Sequence, residues 1–351
     1  MKVLSLHKPG DIRFEDAPTP EPGEGEVLLK VMACGICSSD NDRIFKDGAH
    51  VMPIVPGHEF AGQVVEVGEG VDKSLIGKKA SVFPMLPCFE CPSCKRGDYA
   101  TCSNYKYYGS RNDGGMGEYR AIKAWNLNIL DDSVDYCVGA LSEPSAVGHH
   151  AAEVGGVKAK DKVFVIGSGT IGLLIGFFAQ AKGAEVWIGA RRKESTDFAA
   201  SLGFKTIDTN NTEDEVNKAT DGNGMDVVFE AVGSNKCLID AIQSVAAGGT
   251  LVTVGNPVGD MNLPRNVYWR ILRKQLTVKG TWNSSYSDKA NDWHEVAELM
   301  KEKKIPFEKL ITRKYKLSQC DEAFDFFRDH SIQKSRVMFV MHEKESEAYN
   351  G

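Results

Sequence analysis

An α/β fold built on a doubly wound parallel sheet follows from three observations. Strand-like runs alternate with helical ones, a glycine-rich turn joins the first such strand to the first such helix, and the chain is 351 residues long. One hydrophobic core stops growing near about 250–300 residues, so this length predicts two domains. The alternation begins in "DKVFVIGSGTIGLLIGFFAQAKGAEVWIGA". Residues 163–166 are β-branched or aromatic and lead into Gly167-x-Gly169-x-x-Gly172. An apolar helix then runs to about Lys182, and a second strand covers 185–188. "GMDVVFEAVG", "GGTLVTVG" and "LTVKGTW" read as three further strands, with a helix over 237–246 between the first two. A glycine turn in this setting lets the backbone approach a pyrophosphate, which then sits at a helix N-terminus. Gly167, Gly169, Thr170, Ile171 and Gly172 are therefore candidate dinucleotide-binding residues, with Val232 and Val254 at the ends of later strands.

Composition narrows the class. With 42% hydrophobic and 26% charged residues the chain reads as an ordinary globular protein, and its net charge of −6 argues against a nucleic-acid or membrane-surface partner. The opening "MKVLSLHKPGDIRFED" holds an apolar stretch too short for a signal sequence, and no run approaches the roughly 20 apolar residues of a membrane span. A cytoplasmic location is expected, where the nine cysteines stay reduced and bind metal or lie buried.

Four of them fall in "PCFECPSCKRGDYATC" as Cys88, Cys91, Cys94 and Cys102. A loop so poor in apolar residues gains folding energy from four thiolates around one tetrahedral Zn2+, a structural site with no open position. An iron–sulfur cluster uses similar spacing. A second cluster is incomplete: "ACGICSSDND" supplies Cys37, Ser39 and Asp40, "VPGHEFAG" supplies His58 and Glu59, and "LSEPSAVGHH" supplies Glu143. A cysteine, a histidine and a carboxylate from separate segments can bind zinc and leave its fourth position open for chemistry. Cys34 with Cys37 also makes a C-x2-C pair, but no thioredoxin-like strand and helix follow it.

The four-cysteine lobe, G-I-C-x-S-D at 35–40, G-H-E-x-x-G at 57–62, the E-P pair at 143–144 and the glycine turn occur in this order in the zinc-dependent medium-chain dehydrogenases, which the sequence resembles over essentially its whole length. "DRIFKDGAHVMPIVPGHEFAG", "YGSRNDGGMGEY" and "GTWNSSYS" are similar to the polyol-phosphate branch, with sorbitol and threonine dehydrogenases as near cousins. The resemblance implies a mostly-β, GroES-like catalytic domain over 1–146 and 284–351, a Rossmann domain over 147–283, and an active site between them. It implies two zinc ions per chain and a homodimer or homotetramer. It makes Cys37, His58 and Glu143 the catalytic zinc ligands, with Glu59 completing the shell or replacing a ligand. Ser39 would relay the alcohol proton and Asp40 would orient His58. Several relatives end that relay on a histidine where this chain has Asp42.

The expected activity is hydride transfer between a secondary alcohol of a polyol or polyol phosphate, of the galactitol 1-phosphate kind, and a nicotinamide cofactor. Lys46 and Arg111 are candidates for the substrate phosphate, in a region that also holds Arg43 and His50. Relatives that use NAD close the second strand on an acid that holds the ribose, whereas this chain reads Ala190-Arg191-Arg192. Loss of the acid and gain of two arginines favour NADP(H), with NAD(H) or dual use still open. Other zinc alcohol or polyol dehydrogenases, a zinc-free reductase and a non-catalytic NADPH-binding module are the competing readings.

Overall fold

The computed structural model describes residues 1–342; residues 343–351, grouped above with the catalytic domain, lie outside the described residues. The chain forms two units, Pro144–Ser284 and a second one made of Met1–Glu143 with the described residues from Ser285 on.

In the unit Pro144–Ser284, six parallel strands lie in the order Lys205–Asp208, Glu185–Ala190, Lys162–Ile166, Met225–Glu230, Val245–Thr253 and Thr277–Gly280. Counted along the chain this is 3-2-1-4-5-6, the doubly wound arrangement expected from the alternation. Lys162–Ile166 sits centrally because its β-branched and aromatic residues are buried. Helix Thr170–Ala181 is apolar all round and lies close on the sheet, since a Cβ on Gly176 would meet Ile188 Cδ1 at 2.9 Å. Phe164, Ile166, Trp187, Val228 and Leu251 share one core.

Three details differ from the sequence expectation. The second strand runs on to Ala190, because its last residues still pair with Lys205–Asp208, an edge strand whose sequence KTID carried too little apolar pattern to be recognised. The helix expected over 237–246 is Asn235–Ser244. It starts early because Ser234 caps it, its side chain accepting from Cys237 N, and it stops early because Val245 already pairs with Met225.

The other unit is organised by Glu26–Ile36, an eleven-residue strand that pairs antiparallel with Glu59–Val67, Tyr119–Lys123 and Arg336–Val340. The last of these is the strand-like "SRVMFVM" of the sequence, and it lays Val337 opposite Ile36 and Met338 opposite Gly35. Leu29, Val31, Phe60, Val64, Val82, Phe324 and Phe339 form the core here. Trp293, fully buried on helix Asp292–Lys301, meets Phe83 edge-on at 5.5 Å. Among the described residues no helix is long and apolar enough to cross a membrane.

Replacing Trp293 with Ala removes a ring from a site with no exposure, and the expected cost is about 3–5 kcal/mol. Urea unfolding of the variant beside the parent measures it; a loss below about 1 kcal/mol would show that the neighbouring rings refill the space.

Candidate active site

The local chain path places Cys37 and His58 together. Strand Glu26–Ile36 ends one residue before Cys37, which caps the short helix Ser38–Asp42; the adjacent strand Glu59–Val67 begins one residue after His58. Gly35 stands opposite Glu59 in the ladder, and a Cβ there would lie 2.4 Å from Glu59 Oε2. The missing side chain at 35 is thus the space the Glu59 carboxylate occupies.

Asp40 ties these parts together. It is fully buried, and its Oδ1 lies 3.1 Å from His58 Nδ1 and accepts from Arg43 Nη1 at 2.7 Å, while Oδ2 accepts from the Cys37 N–H at 3.4 Å. With Nδ1 engaged, Nε2 of His58 is the nitrogen left for a cation. Burial works against the Asp40 charge, but His58 and Arg43 beside it hold the carboxyl below its usual range. Burial likewise opposes the Cys37 thiolate; the His58 bond and charge, with Arg336, outweigh it and lower the thiol.

Ligand atoms of Cys37, His58 and Glu59 all lie within 4.8 Å of one another. Both oxygens of Glu59 are buried without a hydrogen bond, although Arg336 Nη2 stands 3.1 Å from Oε1 as an ion pair. A thiolate, an imidazole and a carboxylate short of donors suit zinc, so the residues present fit the metal. Glu143, expected as the third ligand, lies outside this group of three, in which Glu59 is the carboxylate. It sits in the first turn of helix Ser142–Gly155, and its Oε1 accepts from the Tyr107 hydroxyl at 3.3 Å. Burial pushes its carboxyl up to about 7, against the pull of His58. Ser39 is exposed, with its hydroxyl 3.4 Å from Cys37 Sγ.

Two residues that sequence reasoning passed over belong to this site. Arg336, read only as part of a strand, is buried, donates to Ile36 O at 2.7 Å and faces Glu59. Nothing in its sequence neighbourhood signals this, since its partners lie some three hundred residues away. Tyr107 sets its ring 5.8 Å from that of His58.

The four lobe cysteines also converge. Sulfur separations are 3.5 Å for Cys88–Cys102 and 3.9 Å for Cys88–Cys94 and Cys91–Cys102. Metal–sulfur bonds of roughly 2.3 Å at tetrahedral angles give edges near 3.8 Å, so one ion fits here. Thiolates on separate irons of a cluster would stand farther apart, which disfavours the iron–sulfur alternative. Backbone N–H groups of Cys94 and Ser103 lower the Cys91 thiol to about 5.

In the parallel-sheet unit, Gly167 has φ 121° and Gly169 caps helix Thr170–Ala181, so Thr170 and Ile171 form its first turn. A Cβ on Gly172 would lie 1.9 Å from Gly167 O, which explains the third glycine. Glu230 Oε1 accepts from the N–H groups of Val232 and Gly233, and Glu230 O from that of Val254, fixing the loops beside the glycine turn. Ala190 is buried at its strand end. Arg191 beyond it is exposed, and Arg192 caps helix Lys193–Ser201.

Residues 23–132 match the alcohol dehydrogenase GroES-like domain, and residues 170–302 match the zinc-binding dehydrogenase domain. The chain belongs to the zinc-binding alcohol dehydrogenase family. Galactitol 1-phosphate 5-dehydrogenase of Escherichia coli K12 is 34% identical over 323 residues, 90% of this chain and 92% of its own. The crystal structure of galactitol-1-phosphate dehydrogenase from Escherichia coli superposes with a TM-score of 0.90 at 32% identity, covering 97% of this chain and 100% of that one. Sorbitol dehydrogenase of Halalkalibacterium halodurans is 31% identical, with 97% of each chain covered. The family is one of zinc-dependent oxidoreductases that act on alcohols or polyols with a nicotinamide cofactor.

The raised Glu143 carboxyl has a thermodynamic consequence. In the metal-free folded chain it keeps its proton up to about 7, whereas an unfolded glutamate loses it near 4.5. The folded state binds more protons between those values, so stability falls as pH rises through that window. Melting the metal-free protein at about pH 5 and about pH 7 should show a smaller drop for Glu143→Gln than for the parent; equal drops would refute the assignment.

Proposed function

We propose that this chain oxidises a secondary alcohol of a polyol phosphate, of the galactitol 1-phosphate kind, to the ketose phosphate, with NADP+ as hydride acceptor. The observation that carries the reading is the grouping of half-buried Cys37 with buried His58 and Glu59, both Glu59 oxygens lacking hydrogen bonds. The likeness to galactitol 1-phosphate 5-dehydrogenase supports the substrate class. One zinc held by Cys37, His58 and Glu59 would polarise the substrate hydroxyl and lower its pKa, and a second in the four-cysteine lobe would be structural.

The chain's own residues supply the rest. Asp40 keeps His58 in the tautomer that presents Nε2. Arg336 balances the charge of Glu59 and, with Glu143 and Tyr107 beside His58, sets the local field. Ser39, exposed next to Cys37, accepts the hydroxyl proton and passes it to solvent. Asp42, where several relatives have a histidine, pairs with Lys46 at 2.8 Å and stands outside that route. Hydride leaves the same carbon for the nicotinamide, so alcohol and NADP+ become ketone, NADPH and a proton. A 2'-phosphate on the cofactor meets no acid at Ala190 and finds Arg191 and Arg192 directly beyond it.

Turnover measured across galactitol 1-phosphate, sorbitol, L-threonine and 2,3-butanediol should be fastest on the phosphate ester, and silence across the panel in zinc-loaded protein would overturn the reading. In a fluorescence titration NADPH is expected to bind at least about ten-fold more tightly than NADH, or about 1.4 kcal/mol, and Arg191→Asp should erase the difference. Equal binding by the parent would make the cofactor NAD(H) and leave both arginines to the surface.

A further inference from the structure

One cation close to this site has an aromatic ring for a partner instead of a carboxylate. Arg111 is half-buried, with its guanidinium carbon 4.4 Å from the centre of the Tyr105 ring. Among the described residues its side chain makes no ion pair or hydrogen bond. The neighbouring cations are already committed: Lys46 to Asp42 at 2.8 Å in an exposed position, and Arg43 to Asp40 at 2.7 Å. A guanidinium whose neighbour is a ring keeps its N–H donors for a bidentate oxyanion.

The surroundings are positive. The His50 N–H donates to Ser110 O at 3.3 Å, which joins two loops beside Arg111. Burial lowers the His50 imidazole, and the charges of Arg111 and Arg43 lower it further, so both arginines act on one locality. Arg111 is also tied to the candidate metal set through aromatic contacts. The Tyr105 ring lies 6.3 Å from that of Tyr107, and the Tyr107 ring lies 5.8 Å from that of His58. Two rings, those of Tyr105 and Tyr107, therefore stand in sequence between the Arg111 guanidinium and His58.

We propose that Arg111 is the anion-binding residue of the substrate pocket, its stacked guanidinium gripping the terminal phosphate of the substrate while the alcohol at the other end meets Cys37, His58 and Glu59. This rests on the dehydrogenase reading above and goes beyond it by assigning specificity to one side chain. Lys46, the other cation singled out in the sequence, has no part in it because Asp42 already neutralises it. A substrate carboxylate offers the same two-oxygen edge; phosphate is favoured because its second charge gains more from the Arg111 guanidinium.

The test compares the parent, Arg111→Gln and Arg111→Lys on galactitol 1-phosphate, galactitol and L-threonine. Inorganic phosphate serves as the probe, both as an inhibitor and as a protectant against thermal unfolding. Loss of a charge-assisted bidentate contact predicts a KM for galactitol 1-phosphate raised about 10- to 100-fold in Arg111→Gln, with kcat changed far less. The preference for the ester over galactitol should fall by a similar factor, and phosphate inhibition should weaken with it. Arg111→Lys, which keeps the charge and the packing stem, should fall between the two and separate a local effect from misfolding. An unchanged KM and unchanged phosphate inhibition in Arg111→Gln overturn the proposal and leave the proposed function standing. A KM effect confined to L-threonine overturns phosphate in favour of carboxylate. If phosphate protects the parent and not Arg111→Gln, yet no alcohol is oxidised, the anion site is upheld and the proposed function fails.

Discussion

The bond between Asp40 and His58 is the constraint on which the site depends. A carboxylate with no exposure survives in a protein interior only when its charge is matched, and Asp40 is matched by His58, Arg43 and the Cys37 N–H. Cys37 and Arg43 flank the same short helix that carries Asp40, so the bond to His58 is the one that ties this helix to the turn before Glu59–Val67. The sheet reinforces this through Gly35, whose bare α-carbon faces Glu59 and lets that carboxylate turn toward the same point. The unmatched oxygens of Glu59 are the complement: they are the place in the network where an added positive ion relieves a cost that the protein alone carries.

Much of this was legible in the residues. Gly167-x-Gly169-x-x-Gly172 announced the turn because its first glycine takes a positive φ and its third meets the backbone of the first at a distance no Cβ tolerates. The four-cysteine loop was legible because little else could order it. Cys37 and His58 could be paired from their motifs, whereas the choice between Glu59 and Glu143 could not. Both are carboxylates in reach of the same region, and the contacts that distinguish them, Arg336 with Glu59 and the Tyr107 hydroxyl with Glu143, span separations that no periodicity encodes.

The rest escaped for physical reasons of the same kind. Lys205–Asp208 joins the sheet as an edge strand and needs little apolar character, so hydrophobic pattern misses it. Ser244 and Val245 read equally well as helix, and only the pairing of Val245 with Met225 ends the helix there. Arg111 looked like one cation among several. Its distinction lies in which neighbours have acids within reach, because Asp42 takes Lys46, Asp40 takes Arg43, and Arg111 is left to a ring.

The strand Arg336–Val340 enters the first sheet beside Glu26–Ile36 and brings Arg336 to Glu59 and Ile36 from the far end of the chain. A ribosome makes Cys37 and His58 long before this strand, whose Arg336 lies 300 residues after Ile36. Until then residues 33–36 of that edge are unpaired, since Tyr119–Lys123 covers only residues 26–30, Glu59 lacks Arg336, and the open stretch presents backbone donors and acceptors to any passing strand. The nascent chain therefore holds its metal-binding residues long before it can bury them correctly. Completion of this unit waits on the strand Arg336–Val340 and on closure of a loop of some 300 residues, a slow step because so distant a contact must form.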